Sequence, residues 1–460
     1  GLQCPPGHTF WPVRARKQCI ALSMLAKPCS PQPTQLRSVQ VIKEMRPLRI
    51  RHLALGISLA ALTSGCSSWR PPVVIKVVRT INNEETVSSK DYERLREITV
   101  EAIDHIKSVD PSIRPQLTLS SQRNFVDEIE GQTRSGFGPD LLITDSDTAL
   151  ELYQRKLVDP IEIDSEDRAD TPSFLFDLVT AKDGQLVGRP VNQFVQLACF
   201  NKERLPSPPQ TLEEMEKDSE DNNFGMALQL KDLFWSAESF DAGDAMEAAL
   251  AKLPPDTKRQ ANVTDWLRWL ENASYQQNIR FLNDQRSLRE AFVSGELDWI
   301  TCWSSNLREL RNQMQQKLAL APLPKGPSKR PKATTKLQVW SLGRNSSRMQ
   351  REKALVMIDF ISKPWAQKTY ALAGRNSLPV NRRAAAIVAA KIPGGTEALL
   401  MYAQQSLKEN AAKGQSKARV FRDPARYRAI SDALLDTIYD VSSPEESSQK
   451  ILKSLRESDS

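Results

Sequence analysis

Several polar side chains stand directly after apolar, strand-like runs, where they could bind a ligand. Asn82 and Asn83 follow the run at residues 73–78, and Asp145 follows the run at residues 140–144. A ligand of an open α/β sheet lies beyond the carboxyl ends of its strands, so these amide and carboxylate groups predict hydrogen bonding to a polar small molecule. Two structural alternatives remain open here: a simple polar turn at the asparagines, and a helix N-cap just after Asp145.

Flat aromatic rings could supply the apolar half of such a site. Trp235, Trp303 and Trp340 each follow or interrupt an apolar run, and their rings suit the CH faces of a sugar. The other candidates are polar residues on a long apolar run and in a late loop, namely Asn192, Gln193 and Arg375.

The sequence lacks the signatures of the common catalytic sites. It has three histidines, no Gly-Lys-Ser/Thr phosphate loop and no Gly-x-Ser-x-Gly nucleophile motif. Acidic residues are numerous, but nothing singles out a pair for glycoside hydrolysis. The cysteines at 4, 19 and 29 match no standard zinc spacing. We therefore expect no catalytic activity, no cofactor and no metal.

The positive charge of the chain is confined to its beginning. The net charge is +7, yet nine of the 63 Lys and Arg and only one of the 56 acidic residues lie in the first 65 residues. The rest is almost neutral and carries no field that would attract a phosphate backbone, so no nucleic-acid partner is expected.

The elements that must position these residues alternate between strand and helix. Apolar runs near 73–78, 116–120 and 140–144 are separated by segments with helical spacing. This alternation predicts an α/β fold with a largely parallel sheet. Residues 186–200 are a long strand-like crossing, and the segment from 351 onward is mainly helical.

An export signal precedes this fold. Residues 45–65 combine three arginines with a ten-residue apolar stretch that is too short to span a bilayer, and small residues lead to Cys66. This resembles a bacterial lipoprotein signal, which implies lipidation of Cys66 and a short tether at 66–72. A plain secretory signal is the alternative. Residues 1–44 fit no such pattern and are interpreted as upstream sequence before a start at Met45. In an oxidising compartment Cys199 and Cys302 could pair or stay as buried thiols, and the sequence leaves this open.

Six short patterns occur in an order typical of one family. They are SGFGPDLL at 135–142, LVDPI at 157–161, FNK with PPQTLEE at 200–214, AFVSGE at 291–296, ALVMIDF with GRNSLP at 354–379, and SSPEE at 442–446. Together they resemble the extracellular solute-binding proteins of ABC importers, in particular the carbohydrate-binding family that includes maltose-binding protein.

The resemblance implies a two-lobed α/β fold with the solute held in a cleft that closes about hinge crossings. It implies an N-terminal lobe of residues 73–192 and 303–343, and a C-terminal lobe of 193–302 and 344–460. The expected protein is a monomer in the periplasm or cell envelope, lipid-anchored at Cys66, that delivers a sugar or sugar-like solute to a membrane permease. A polyamine or a small anion as the solute, or an interaction lipoprotein without transport, are the alternatives.

Overall fold

The computed structural model describes residues 71–81, 89–121, 124–328, 334–374, 378–391 and 424–457, all within one compact unit, residues 70–460. The strands are β1 (Val73–Ile81), β2 (Ile113–Ser121), β3 (Leu141–Asp145), β4 (Val158–Asp159), β5 (Arg189–Asn201), β6 (Phe224–Ala227), β7 (Ile279–Leu282), β8 (Trp299–Trp303), β9 (Leu318–Ala321), β10 (Thr335–Gly343) and β11 (Leu378–Pro379).

The helices surround this sheet, and none of those described is both long and apolar enough to cross a bilayer. They are α1 (Ser89–Asp104), α2 (Phe125–Arg134), α3 (Ser146–Gln154), α4 (Ser165–Asp170), α5 (Ser173–Asp177), α6 (Leu212–Asp218), α7 (Leu230–Ser239), α8 (Ala242–Leu250), α9 (Thr257–Tyr275), α10 (Gln285–Ser294), α11 (Leu307–Met314), α12 (Arg348–Ser362), α13 (Pro364–Gly374), α14 (Arg382–Lys391), α15 (Pro424–Ile438) and α16 (Pro444–Glu457). Asn82, Asn83, Arg375 and Cys66 lie outside the described residues.

The sheet is mixed, with the order β2–β1–β3–β10–β5–β8–β6–β7. Strand β1 runs parallel to β2 and β3, and β6 runs parallel to β7 and β8. In the middle, β10 is antiparallel to β3 and β5, and β5 is antiparallel to β8. The prediction of a largely parallel sheet is thus wrong for the centre, because the central strands carry the chain between two lobes in opposite directions.

Strand β5 is shared between these two lobes. Its first half pairs with β10 and β11, and its second half pairs with β8 and β9. All thirteen of its residues are buried, as expected for a strand covered on both faces. This strand is therefore the main covalent and hydrogen-bonded connection between the lobes.

Two separate hydrophobic cores define the lobes. The first lobe contains β1–β4, β10, β11, α1–α5 and α12–α14, and its core includes Ile75, Leu141, Val339 and Met357. The second lobe contains β6–β9, α6–α11, α15 and α16, and its large core is rich in tryptophan.

The packing of the C-terminal third differs from the predicted division of the chain. That division placed 344–460 in one lobe, but α12 packs against β1 and β10 in the first lobe, while α15 and α16 pack against α9 in the second. Likewise β9, which lies within the predicted N-terminal segment 303–343, pairs with the second half of β5. Both segments have ordinary amphipathic patterns, and such a pattern does not specify which core a helix covers.

A disulfide joins neighbouring strands of the second lobe. Cys199 on β5 and Cys302 on β8 are bonded, with their Cα atoms 5.8 Å apart, and both are fully buried. The sequence left this pairing open, and the structure resolves it because the two residues come together only through the β5–β8 register.

Candidate functional site

One face of the central strands carries a row of polar side chains. Gln338 on β10 lies opposite Asp145 on β3 and opposite Asn192 on β5. Residues paired in this way project to the same face of a sheet. The amide of Asn192 donates to Oε1 of Gln338 at 3.2 Å, and all three side chains are buried. The row brings two of the sequence-predicted residues together with a third that the sequence did not indicate.

The next rows extend this face into the second lobe. Lys336 on β10 lies opposite Phe194, and Gln196 lies opposite Trp303 at the end of β8. The Nζ atom of Lys336 stands 4.4 Å from the centroid of the Trp303 ring, a distance typical of a cation–π contact. Burial lowers the pKa of Lys336 to about 7, so the charged and neutral forms coexist near neutral pH.

Asp232 on α7 is a second contact of Trp303, through the N–H of its indole. The indole Nε1 donates to Oδ1 of Asp232 at 2.7 Å, and Nε2 of Gln285 donates to the same oxygen at 3.1 Å. Asp232 is fully buried, and Oδ2 has no hydrogen-bond partner among the described residues. Burial raises the pKa of this carboxyl to about 6, against the opposing effect of the hydrogen bonds from Trp303 and Gln285.

Gln196 connects the same network to both lobes. Its Nε2 donates to the backbone oxygen of Asp232 at 2.8 Å, and its Oε1 accepts from the hydroxyl of Thr334 at 2.6 Å. Thr334 directly precedes β10 of the first lobe, and Asp232 lies in the first turn of the second-lobe helix α7. The side chain of Gln196 therefore spans the connection between the lobes.

An ion pair also bridges the lobes. Lys231 at the start of α7 pairs with Asp147 at the start of α3, and its Nζ stands 5.9 Å from the ring centroid of Tyr427. Burial disfavours the charge of Lys231, but the attraction of Asp147 and Asp145 outweighs this effect and raises its pKa. Asp147 follows β3 of the first lobe and Lys231 follows β6 of the second, so the pair joins the carboxyl ends of these two strands in this conformation.

The structure assigns Asp145 a structural contact as well as a place in the row. Its carboxylate accepts from the backbone N–H of Thr148 at 2.8 Å and so caps α3. The N-cap alternative considered from the sequence therefore applies, but to Asp145 itself rather than to the residue after it.

Two of the predicted aromatic rings are packed into cores. Trp235 is fully buried and makes an edge contact with Trp269, with ring centroids 6.2 Å apart. Trp340 is 2% exposed within the first-lobe core. Neither ring presents a face to a solute in this conformation, so their assignment as stacking surfaces needs correction. Trp303 is also buried, but the group that covers its ring is Lys336 from the other lobe.

Gln193 is fully buried, and neither atom of its amide has a hydrogen-bond partner among the described residues. It projects to the face of β5 opposite to that of Asn192, because successive residues of a strand alternate. Its predicted role beside Asn192 in one site is therefore not supported by the strand geometry.

Five residues of this face were not predicted from the sequence, namely Lys231, Asp232, Gln196, Lys336 and Gln338. Lys336, Gln338 and Gln196 interrupt strongly apolar strands, and an isolated polar residue in such a strand is the signal that could have indicated them. No comparable signal marks Asp232, because its contacts join segments far apart in the chain.

Two other features lie away from this face. A cavity of about 690 Å³ is lined by residues that include Tyr153, Asp159 and Arg344, at the far edge of the first lobe. Among the described residues, three carboxylates that approach one another closely belong to Asp164, Asp167 and Asp359. Arg189 pairs with Asp167 at 2.8 Å, so a cation of the chain already occupies this acidic cluster.

Comparison with known proteins agrees with this architecture. The sequence profile of the family described as "Bacterial extracellular solute-binding protein" matches residues 118–394. No curated protein matches the sequence.

Solved structures of similar fold cover most of the chain. They are the GacH receptor of Streptomyces glaucescens GLA.O, solved unliganded and with acarbose (TM-score 0.65, 12% identity, 84% of this chain and 98% of that one), the maltodextrin-binding protein MalE1 from L. casei BL23 without ligand (0.62, 12%, 85% and 100%), and maltose-bound MalE3 of T. maritima (0.61, 16%, 84% and 99%). These similarities confirm the predicted two-lobed α/β fold.

Proposed function

Because the chain belongs to the family of bacterial extracellular solute-binding proteins, we propose that it captures a sugar or sugar-like solute between its lobes and delivers it to the permease of an ABC importer. As a solute-binding protein it makes and breaks no bond. The observation that carries the proposal is the polar face of Asp145, Gln338 and Asn192 in the first lobe, which continues through Gln196 to Trp303 and Asp232.

The chemistry of this face suits a hydroxylated solute. Amides and carboxylates exchange hydrogen bonds with hydroxyl groups, and an indole provides a flat surface for CH groups. Lys336 covers Trp303 in this conformation, so a solute that stacks on the ring must displace it when the lobes part. Maltose, maltodextrin and acarbose, named for the proteins of similar fold, are the first sugars to test.

The conformation described is compact at the connection between the lobes. The Lys231–Asp147 ion pair and the Lys336–Trp303 contact both cross it. Capture then requires these contacts to open and to re-form around the solute, as in other hinged binding proteins. The cost of opening them lowers the apparent affinity for the solute.

We further propose that residues 45–65 are removed as a signal peptide, that Cys66 is lipidated and becomes the mature N-terminus, and that residues 66–72 act as the tether. The mature protein is then a monomer held at the cell envelope. Mass spectrometry of the membrane fraction tests this, since lipidation adds the mass of the acyl chains to a peptide that begins at Cys66.

Thermal unfolding of the chain from Ser67 onward tests the solute class. The panel contains maltose, longer maltodextrins, acarbose, monosaccharides, polyamines and small anions. A solute at 100 times its dissociation constant should add about 2.7 kcal/mol to the free energy of unfolding. Stabilisation by one sugar class supports the proposal. Stabilisation by polyamines or anions alone would replace the sugar, and none by any compound would favour an interaction lipoprotein.

A further inference from the structure

The first lobe exposes an apolar patch at the edge of its sheet opposite to the polar face. It consists of Phe137, Met349 and Val74, which are 70%, 52% and 40% exposed, and we call it the distal patch. Its members are connected through their neighbours: Nε2 of Gln350 donates to the backbone oxygen of Val74 at 3.2 Å, and Nζ of Lys76 stands 5.6 Å from the Phe137 ring centroid.

The backbone holds Phe137 in its exposed position. Helix α2 ends at Arg134, and the chain turns at Gly136, whose φ of 78° lies in the left-handed region that glycine adopts without strain. The N–H of Gly136 then donates to the oxygen of Thr133 at 3.1 Å, and that of Phe137 donates to Gln132 at 2.9 Å. A large aromatic side chain is thus displayed to solvent by a fixed turn, on the same edge as the exposed Val74 and Met349.

Basic side chains surround the distal patch. Lys76, Arg344 and Arg348 are all exposed around it. Asp140, the acidic group among them, is buried, and its carboxylate accepts hydrogen bonds from the Lys76 backbone, Ser346 and Gln350. Glu352 pairs with Arg348 at 3.2 Å, which leaves Lys76 and Arg344 as the basic groups here without an ion-pair partner among the described residues. The outward-facing charge of this edge is therefore positive.

The cavity of about 690 Å³ continues the same edge. It shares Arg344 with the surroundings of the patch and adds Lys156 and Lys182. Of its two acidic residues, Asp159 pairs with Arg351, whereas Asp183 accepts from the hydroxyl of Tyr153 at 2.8 Å and stays negatively charged, so the basic side chains of the lining outnumber its one unpaired acid. An anionic group could enter between these basic side chains.

The position of the patch along the chain indicates what covers it. Strand β1 begins at Val73, beside the patch, and Cys66 lies seven positions earlier in the chain, with six residues between them. A fully extended segment of that length reaches at most about 25 Å. If Cys66 carries a lipid, as proposed above, this edge of the first lobe cannot be far from the bilayer.

We propose that the distal patch and its basic surroundings rest on the anionic surface of the lipid bilayer. Phe137 and Met349 enter the interfacial region, and Lys76 and Arg344 contact lipid phosphates. Two basic residues near such a surface bind it too weakly to anchor the protein but strongly enough to orient it. In this resting orientation the polar face lies at the opposite edge of the sheet, so delivery to the permease requires the protein to leave the lipid surface and turn.

Fluorescence on vesicles tests this orientation. The chain from Ser67 onward is attached through an N-terminal histidine tag to nickel-chelating lipid, so the anchor does not depend on lipidation in the cell. An environment-sensitive NBD dye is placed on Phe137→Cys, with Tyr439→Cys on the second lobe as the matched control, since Tyr439 is a 60% exposed aromatic. Cys199 and Cys302 do not react because they are bonded and buried.

We expect NBD emission at position 137 to rise at least twofold and to shift to the blue on vesicles with 30% phosphatidylglycerol, and position 439 to change little. Lys76→Glu with Arg344→Glu should abolish the rise, and purely zwitterionic vesicles should reduce it. An unchanged signal at 137, or equal changes at 137 and 439, would overturn the proposal and leave the patch for a protein partner. Absence of lipid on Cys66 in cells would instead contradict only the proposed anchor.

Discussion

The indole of Trp303 is held from both lobes: its Nε1 donates to Asp232 at 2.7 Å, while Lys336 stands 4.4 Å above its ring. One partner belongs to the second-lobe helix α7 and the other to the first-lobe strand β10. A change in the separation of the lobes must therefore break the contact with Lys336, while the hydrogen bond to Asp232 moves with Trp303. Trp303 is thus oriented by one lobe and uncovered by the movement of the other.

Asp232 should make the stability of the protein depend on pH. Its pKa is raised from 3.8 to about 6 by burial, so the folded state binds the proton more tightly than the unfolded state. The stabilisation that this gives is complete below about pH 4 and is lost as the pH rises through 6. Asp232→Asn removes the buried charge, so relative to wild type its free energy of unfolding should gain roughly 2 kcal/mol between pH 4 and pH 7.5.

Urea denaturation at both pH values measures this difference. Asp265→Asn is the matched control, because Asp265 is exposed beside Arg268 and its removal should change the pH profile little. Parallel pH profiles for Asp232→Asn and wild type would contradict the assignment of a raised pKa to this carboxyl.

The Lys231–Asp147 pair should favour the compact arrangement of the lobes. Lys231→Gln and Asp147→Asn should each increase the radius of gyration in small-angle X-ray scattering without solute. The double variant should resemble either single one, because both changes remove the same contact. Lys450→Gln, which breaks an exposed pair within the second lobe, should leave the radius unchanged. Additive effects of the two single changes would show that the residues act separately.

The Cys199–Cys302 disulfide should contribute strongly to stability. It closes a loop with a sequence separation of 103 residues, and restriction of the unfolded chain by a loop of this size is worth about 3–5 kcal/mol. Cys199→Ala with Cys302→Ala should lower the free energy of unfolding by this amount. Reductant should then affect wild type but not the variant. Two free thiols in the native protein, detected by mass spectrometry after alkylation in denaturant, would contradict the pairing.

Local sequence patterns predicted the strands and helices well, whereas the residues that come together in the site are determined by pairing between distant segments of the chain. The run before Asp145 predicted β3, because a strand of this kind depends on neighbouring residues. Trp235 and Trp303 could not be separated from sequence, since each follows an apolar run. One lies within a helix that packs in a core, and the other ends a strand at the connection between the lobes.

The missed residues show the same limit. Lys336 and Asp232 acquire their altered pKa values only from burial by segments distant in the chain, which no local pattern reports. The division of the lobes failed for a related reason: an amphipathic helix such as α12 satisfies its apolar face equally well against either core.

The most direct test of solute capture by the polar face is an equilibrium titration of the sugar that stabilises the protein most, with wild type and Gln338→Leu. Gln338 lies between Asp145 and Asn192 and accepts a hydrogen bond from Asn192. Leucine has a similar volume but cannot hydrogen-bond. We predict at least a tenfold increase in the dissociation constant for Gln338→Leu, equivalent to about 1.4 kcal/mol, and none for the exposed control Gln276→Leu. Equal affinity in all three proteins would contradict the account.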